Sequence, residues 1–266
     1  MSIERIESPT SAVTPAADPP GSKIAIPQYP LRSILSIWAA ASLPMAALAW
    51  LVAPRLASAM DGEPFAASLI VCLTLGLVWQ FVLVLLLVSR EQHSLRWSVL
   101  RDALWLRAPR SPRTGRVGGL VWLAVVPFAL LFAAKEFMPK LAAPVNRDFG
   151  AFLGSEAGTS FLDGAWGWFA VIVIMAVFNT VLGEELLFRG FLLPRMNGIF
   201  GRADWVANGV LFAAYHLHVP WTIPINLIDT VTQSYPTKRF RSAWIGIAVH
   251  STQTVFITIA VLLVVL

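Results

Sequence analysis

The sequence predicts an all-α, polytopic membrane bundle of about seven transmembrane segments, two of them short or re-entrant near the site. Three observations carry this reading. Only 13% of the 266 residues are charged and 57% are hydrophobic, whereas an average soluble domain carries about 25% charged residues. Mean hydropathy is +0.69. The apolar residues gather into long runs, and the basic residues fall between them. The net charge of +5 therefore reads as topology signals and lipid-headgroup contacts, not as a nucleic-acid surface.

Taken in order, residues 1–30 are rich in Pro, Ser and Ala and hold no apolar h-region. They are expected to be a disordered cytoplasmic tail and not a cleaved signal peptide. Residues 31–160 form an N-terminal set of membrane helices. Within it, Ile34–Val52, Phe65–Val88 and Val117–Ala134 are long enough, or nearly so, for a ~30 Å hydrocarbon core. Cys72 is the only cysteine. Placed mid-segment, it reads as a small buried hydrophobe and excludes intrachain disulfides and Cys-based metal sites.

The loop Ser89–Arg116 contains Arg90, Arg96, Arg101, Arg107, Arg110, Arg113 and Arg116, which assigns it to the cytoplasm. Leu95, Val99, Leu100 and Leu104 recur in it at helical spacing, beside Trp97 and Trp105. That pattern fits an amphipathic helix on the inner membrane surface, and equally one packed on the bundle.

Residues 161–266 form the second region. A fourth segment runs from about Trp166 into Glu184-Glu185, followed by two short apolar pieces, Trp205–Leu217 and Trp221–Val231, and a last span from Ala243 to Leu266. The arrangement is seven crossings, or five plus a re-entrant hairpin. Parity puts the N-terminus inside and the Ala53–Pro64 and Lys135–Gly164 loops outside. Arg189, Arg195, Arg202, Lys238, Arg239 and Arg241 then fall inside. The location expected is a bacterial inner membrane. No internal repeat is visible, which weakens a transporter reading.

The chemistry concentrates in the second region. Charge within hydrocarbon costs roughly 2.5–3.5 kcal/mol per group on insertion scales, so such groups are usually paired, inward-facing and functional. Glu185 and Arg189 form an i, i+4 pair that neutralises itself. Glu184 is turned about 100° away and is left to find another partner. His216 follows Phe212 by four residues, and His250 precedes Thr254 by four. At ~1.5 Å per helical residue, these groups are free to meet at one depth, roughly 8–20 Å below the cytoplasmic face. A desolvated glutamate beside a neutral imidazole is a competent general base. A purely structural reading makes Glu185–Arg189 a buried strut and His216 and His250 satisfied core histidines. The compatible depths of three such residues favour the chemical one.

The chain has no His-Glu-x-x-His motif and no Gly-x-Ser-x-Gly elbow. Asp163 reads as part of an outer turn, His218 as a helix-end or rim residue before Val219-Pro220, and His93 as solvated.

Glu184-Glu185-x-x-x-Arg189, Phe212-x-x-x-His216 and the later His250 resemble the CPBP family, the CAAX-protease and bacteriocin-processing (Abi) intramembrane peptidases. The resemblance covers about residues 165–260. It implies that Glu184 and His216 activate a water for attack on a peptide carbonyl. His250 and the residue four later would stabilise the oxyanion, and Arg189 would hold Glu185. The family's usual asparagine at that last position is Thr254 here, with Gln253 beside it.

The activity expected is therefore that of a CAAX prenyl protease 2-like membrane endopeptidase, metallo- or glutamate-dependent. It would act from the cytoplasmic side on a membrane-associated peptide, CAAX-type or leader, with the bilayer and not nucleic acid as its other partner. Glu184, His216 and His250 have the ligand chemistry for zinc; the preferred mechanism needs no cofactor. The alternatives are a non-catalytic scaffold or immunity protein of the same family, which the Thr254 departure favours, and a proton-coupled transporter.

Overall fold

The computed structural model describes residues 24–60 and 64–266 of the chain. Of the expected tail, residues 1–23 lie outside the described residues. The regular structure of the described part is helical, apart from one isolated antiparallel bridge between Arg110 and Val117. Five helices are long and apolar enough to cross a membrane. They are α1 (Leu31–Ala59), α2 (Phe65–Gln92), α4 (Gly119–Phe137), α5 (Trp166–Arg195) and α7 (Ala243–Val265). A short α3 (Trp97–Ala103) follows α2, and α6 (Asp204–Tyr215) lies between α5 and α7.

Of the two arrangements open to the sequence, the structure adopts five spans plus a hairpin. The piece expected at Trp205–Leu217 is α6, of 12 residues. At ~1.5 Å per residue it is too short for a ~30 Å core. The piece expected at Trp221–Val231 breaks into short turns around Pro220 and Pro224, whose missing amide hydrogens interrupt helical bonding. The chain then returns antiparallel to α6. Lys238 pairs with buried Asp204, Ser234 Oγ donates to Asn208 Oδ1 at 2.9 Å, and Thr230 lies against Gly209. A Cβ at Gly209 would sit 2.2 Å from Thr230 Oγ1, so only glycine lets the two arms close.

At the end of the bundle near the Arg-rich loop, one of the arginines read as a topology signal is the centre of a buried polar knot. Arg195 is fully buried and grips Glu91 with two bonds of 2.8 and 2.7 Å. It also donates to the carbonyls of Ala103 and Phe191. Its aliphatic stem and planar head fill a core position that the positive-inside pattern alone assigns to the surface. The same knot captures part of the segment expected to be a loose tail. Tyr29 donates its hydroxyl to Glu91 at 2.8 Å and its amide to Arg195 O at 2.9 Å. Gln28 bonds Pro194 O and the amide of Gly198. Burial, reinforced by the Glu91 contact, pushes the Tyr29 phenol up to about 12.

The amphipathic stretch packs on the bundle through its C-terminal half. Ala103 and Leu104 are buried, whereas Leu95 and Trp97 stay open. Asp102 anchors it to Arg107 at 2.6 Å. Burial pushes the Asp102 carboxyl up, but the Arg107 bond and charge outweigh this and hold it below the usual range.

Helix α4 is the least embedded of the five, with Leu120, Leu123, Val126 and Leu130 all exposed. Its far end carries its polar fastenings. Lys135 forms a buried ion pair with Asp229 at 3.1 Å, and Gln253 of α7 donates to Glu136.

Candidate active site

Both carboxylates sit on α5 where the helix changes gauge. Residues Phe178–Gly183 and Leu186–Leu192 are π-helical on either side of Glu184-Glu185. Such wide turns concentrate at functional sites because they redirect side chains that an α-helix would stack in register. Here they send the two neighbouring carboxylates into different surroundings.

Glu185 is the hub of a closed ionic cluster. Its Oε1 lies 3.2 Å from Arg189 Nη1 and 3.2 Å from His250 Nδ1. Arg189 meets it as a charge contact without hydrogen-bond alignment, and its guanidinium lies 3.8 Å over the Phe212 ring. Gly246 makes room for this. A Cβ there would stand 2.5 Å from Glu185 Oε2, so the glycine brings the α7 backbone onto the carboxylate. The His250 ring is held edge-on by Phe132 of α4 and Phe212 of α6. Its Nδ1 faces an acceptor, which leaves Nε2 for other work.

Glu184 is turned out of this cluster. Only 3% exposed, it lines a cavity of about 160 Å³ together with Met175, Asn179, His218 and Thr254. That volume holds several waters at ~30 Å³ each. The Tyr215 hydroxyl stands near the Glu184 carboxylate, and the charges of Glu185 and Arg189 act on it.

A second cavity of about 190 Å³ continues from the first, sharing Leu73, Met175 and His218 as walls. It runs to Ala49, Ala66 and the Asn146–Phe149 turn. The cavities thus extend away from the Arg-rich loop, whereas access was expected from that cytoplasmic side. The reason is packing: residues 186–196 are buried without exception, and the Arg195–Glu91 knot fills that end.

Of the residues expected to act, Glu184 and Thr254 share the cavity, while Glu185, Arg189 and His250 form the cluster behind it. His216 does neither. Its Nδ1 is 2.9 Å from the Phe212 carbonyl, an acceptor, so Nδ1 carries the proton and Nε2 is the free base. Its ring packs on Phe212, Tyr215 and, stacked at 5.5 Å, His218. His218, read as a rim residue, is buried and lines both cavities, and its Nδ1 has no partner among the described residues. The His-x-His spacing just past a helix end was the signal for it. Gln253 is committed to Glu136 and supplies no amide beside Thr254.

Four further polar residues join the site without a motif to announce them: Tyr215, Gln80 and the paired Lys135 and Asp229. An amide in the middle of apolar α2 was the available signal for Gln80. Among the described residues no three His, Cys, Asp or Glu side chains converge in a geometry that would hold a metal ion. Glu184, His216 and His250 therefore do not form a ready ligand set in this conformation, and no step below passes through one.

Residues 166–256 match a protein-family model described as type II CAAX prenyl endopeptidase Rce1-like. No curated protein and no solved structure matches the chain.

Proposed function

From the similarity of residues 166–256 to the Rce1-like type II CAAX prenyl endopeptidase model, we propose that the protein is an intramembrane endopeptidase that cleaves a membrane-associated peptide with a Glu184-activated water. The observation that carries this reading is the pairing of neighbours: Glu185 is neutralised in the Arg189–His250 cluster, while Glu184 alone faces the cavity.

In this reading Glu184 takes a proton from a cavity water, and the resulting hydroxide attacks the scissile carbonyl. The carboxyl then delivers the proton to the leaving amine. His250, as an imidazolium whose Nδ1–H faces Glu185 and whose Nε2–H is free to donate, and the Thr254 hydroxyl serve as donors to the oxyanion, each worth ~3–4 kcal/mol where such donors have been removed from other enzymes. His216 stacks on His218 and helps hold that ring at the cavity wall. Glu185 and Arg189 orient His250. Substrates are CAAX-type or leader peptides held at the bilayer.

The test is cleavage of a mixed fluorogenic peptide library, part of it lipidated, by purified wild type and Glu184→Gln, with and without a chelator. Cleavage lost in Glu184→Gln, in a protein of wild-type stability, supports the peptidase; equal cleavage by both sinks it. Chelator sensitivity decides the metal dependence. A scaffold reading has one observation of its own, the short Thr254 hydroxyl where a longer amide would reach further. Wild type that cleaves nothing would move it ahead.

A further inference from the structure

Tyr215 closes α6 with its ring clamped by Phe188, His216 and His218, at centroid distances of 5.4, 5.0 and 5.3 Å. Its hydroxyl is fully buried, and a buried phenol requires a polar partner. One partner arrives from the part of the chain outside the family match. Gln80 of α2, itself fully buried, places Nε2 2.6 Å from the Tyr215 oxygen. The other is Glu184, whose carboxylate stands near the hydroxyl.

The directions of these bonds follow from the donor inventory. An ionised carboxylate only accepts, and a phenol has one proton. Gln80 Nε2 donates to the phenol oxygen, which leaves the phenol's own proton free to turn to the Glu184 carboxylate. Gln80 Oε1 has no partner among the described residues. An amide buried mid-span with one end unsatisfied is costly to desolvate, so packing alone does not account for it.

We propose that Gln80 and Tyr215 form a hydrogen-bond relay that fixes the orientation of the Glu184 carboxylate, with Tyr215 as the positioning residue and Gln80 as the group that aims its hydroxyl. The inference rests on Glu184 being the working carboxylate. It assigns the N-terminal helices a part in the chemistry: α2 sets the rotamer of a side chain on α5 through a ring on α6. A carboxylate left free to rotate meets its water in the productive geometry less often, and misplacements of about 1 Å can lower turnover on the order of 100-fold.

Two measurements test this on the full-length protein. The first is steady-state cleavage by Tyr215→Phe, Gln80→Leu and the double variant. Tyr215→Phe keeps the ring and its contacts and removes only the hydroxyl. The relay requires kcat to fall roughly 10- to 100-fold with KM unchanged, Gln80→Leu to fall less, and the double variant to match Tyr215→Phe. Wild-type kcat in Tyr215→Phe, or independent multiplying losses from the two sites, overturns it. The second measurement needs no activity. The tyrosine C–O stretch of Tyr215, isolated by infrared difference against Tyr215→Phe, reports what the phenol donates to and accepts from. It should move in Glu184→Gln and in Gln80→Leu; an unmoved band in both overturns the relay. If Glu184→Gln cleaves as wild type does, the peptidase reading falls and the band still decides the relay. If Glu184→Gln is dead while Tyr215→Phe has wild-type kinetics, the relay alone falls.

Discussion

Glu185 Oε1 and His250 Nδ1 lie 3.2 Å apart across α5 and α7, although 65 residues separate them in sequence. With Arg189 on its other side, Glu185 is a shared counter-ion for two basic groups in a fully buried place. Removing one member of such a cluster leaves charge uncompensated, at about 3–5 kcal/mol. Glu185→Leu is therefore expected to lower thermal stability in detergent sharply. Glu184→Gln keeps the shape and one acceptor oxygen, and should unfold within a degree or two of wild type. Equal effects of the two substitutions would refute the division of labour between the neighbours.

The cavity walls give a second test. Leu73 borders both cavities, so Leu73→Trp fills the junction between them. Cleavage of long peptides should drop at least tenfold, a loss of about 1.4 kcal/mol in transition-state binding. Leu35→Trp, on an exposed part of α1, should leave cleavage and stability as they were. Undiminished cleavage of long peptides by Leu73→Trp would show that substrate reaches Glu184 by another route.

How much of this was legible in the sequence depends on which force wrote the signal. Hydropathy marks the spans because each is a local run, and the Glu-Glu-x-x-x-Arg spacing marks the carboxylates because it lies within one helix. The 204–240 stretch was ambiguous since a tilted span and a hairpin arm have similar composition; Pro220, Pro224 and the tight Gly209–Thr230 approach decide it. Arg195 carries the surface signature of a cation near a helix end, yet it meets Glu91, 104 residues away in sequence. Gln80 and Tyr215 are 135 residues apart, and no periodicity reports a bond between different helices. His218 was obscured by its proline neighbour, which made a rim position the simpler reading.

The Tyr29 knot sets an alkaline limit on stability. Its phenol is pushed from 10.0 to about 12, so the folded protein holds that proton more tightly than the unfolded chain. The contribution is intact below pH 10 and is lost as pH rises toward 12, because the unfolded chain ionises first. Urea or thermal denaturation between pH 9 and 12 should therefore show a steeper decline in wild type than in Tyr29→Phe. Parallel declines would mean that Tyr29 does not titrate with this shift.

Helix α4 is the least buried of the five spans; it packs mainly on α7, and its polar fastenings sit at one end, where Phe132 lies against His250. Packed on α7 and fixed at Lys135, with its other faces exposed, the helix has room to adjust its tilt when the bilayer thickness changes. The pivot borders the cluster that orients His250. Acyl-chain length thus becomes a control variable for the enzyme: turnover in vesicles of graded lipid length should pass through an optimum, whereas a wall rigidly packed against its neighbours would give the same rate in every lipid. A turnover that follows lipid length would make the bilayer the outermost layer of the site, acting on it without touching the substrate.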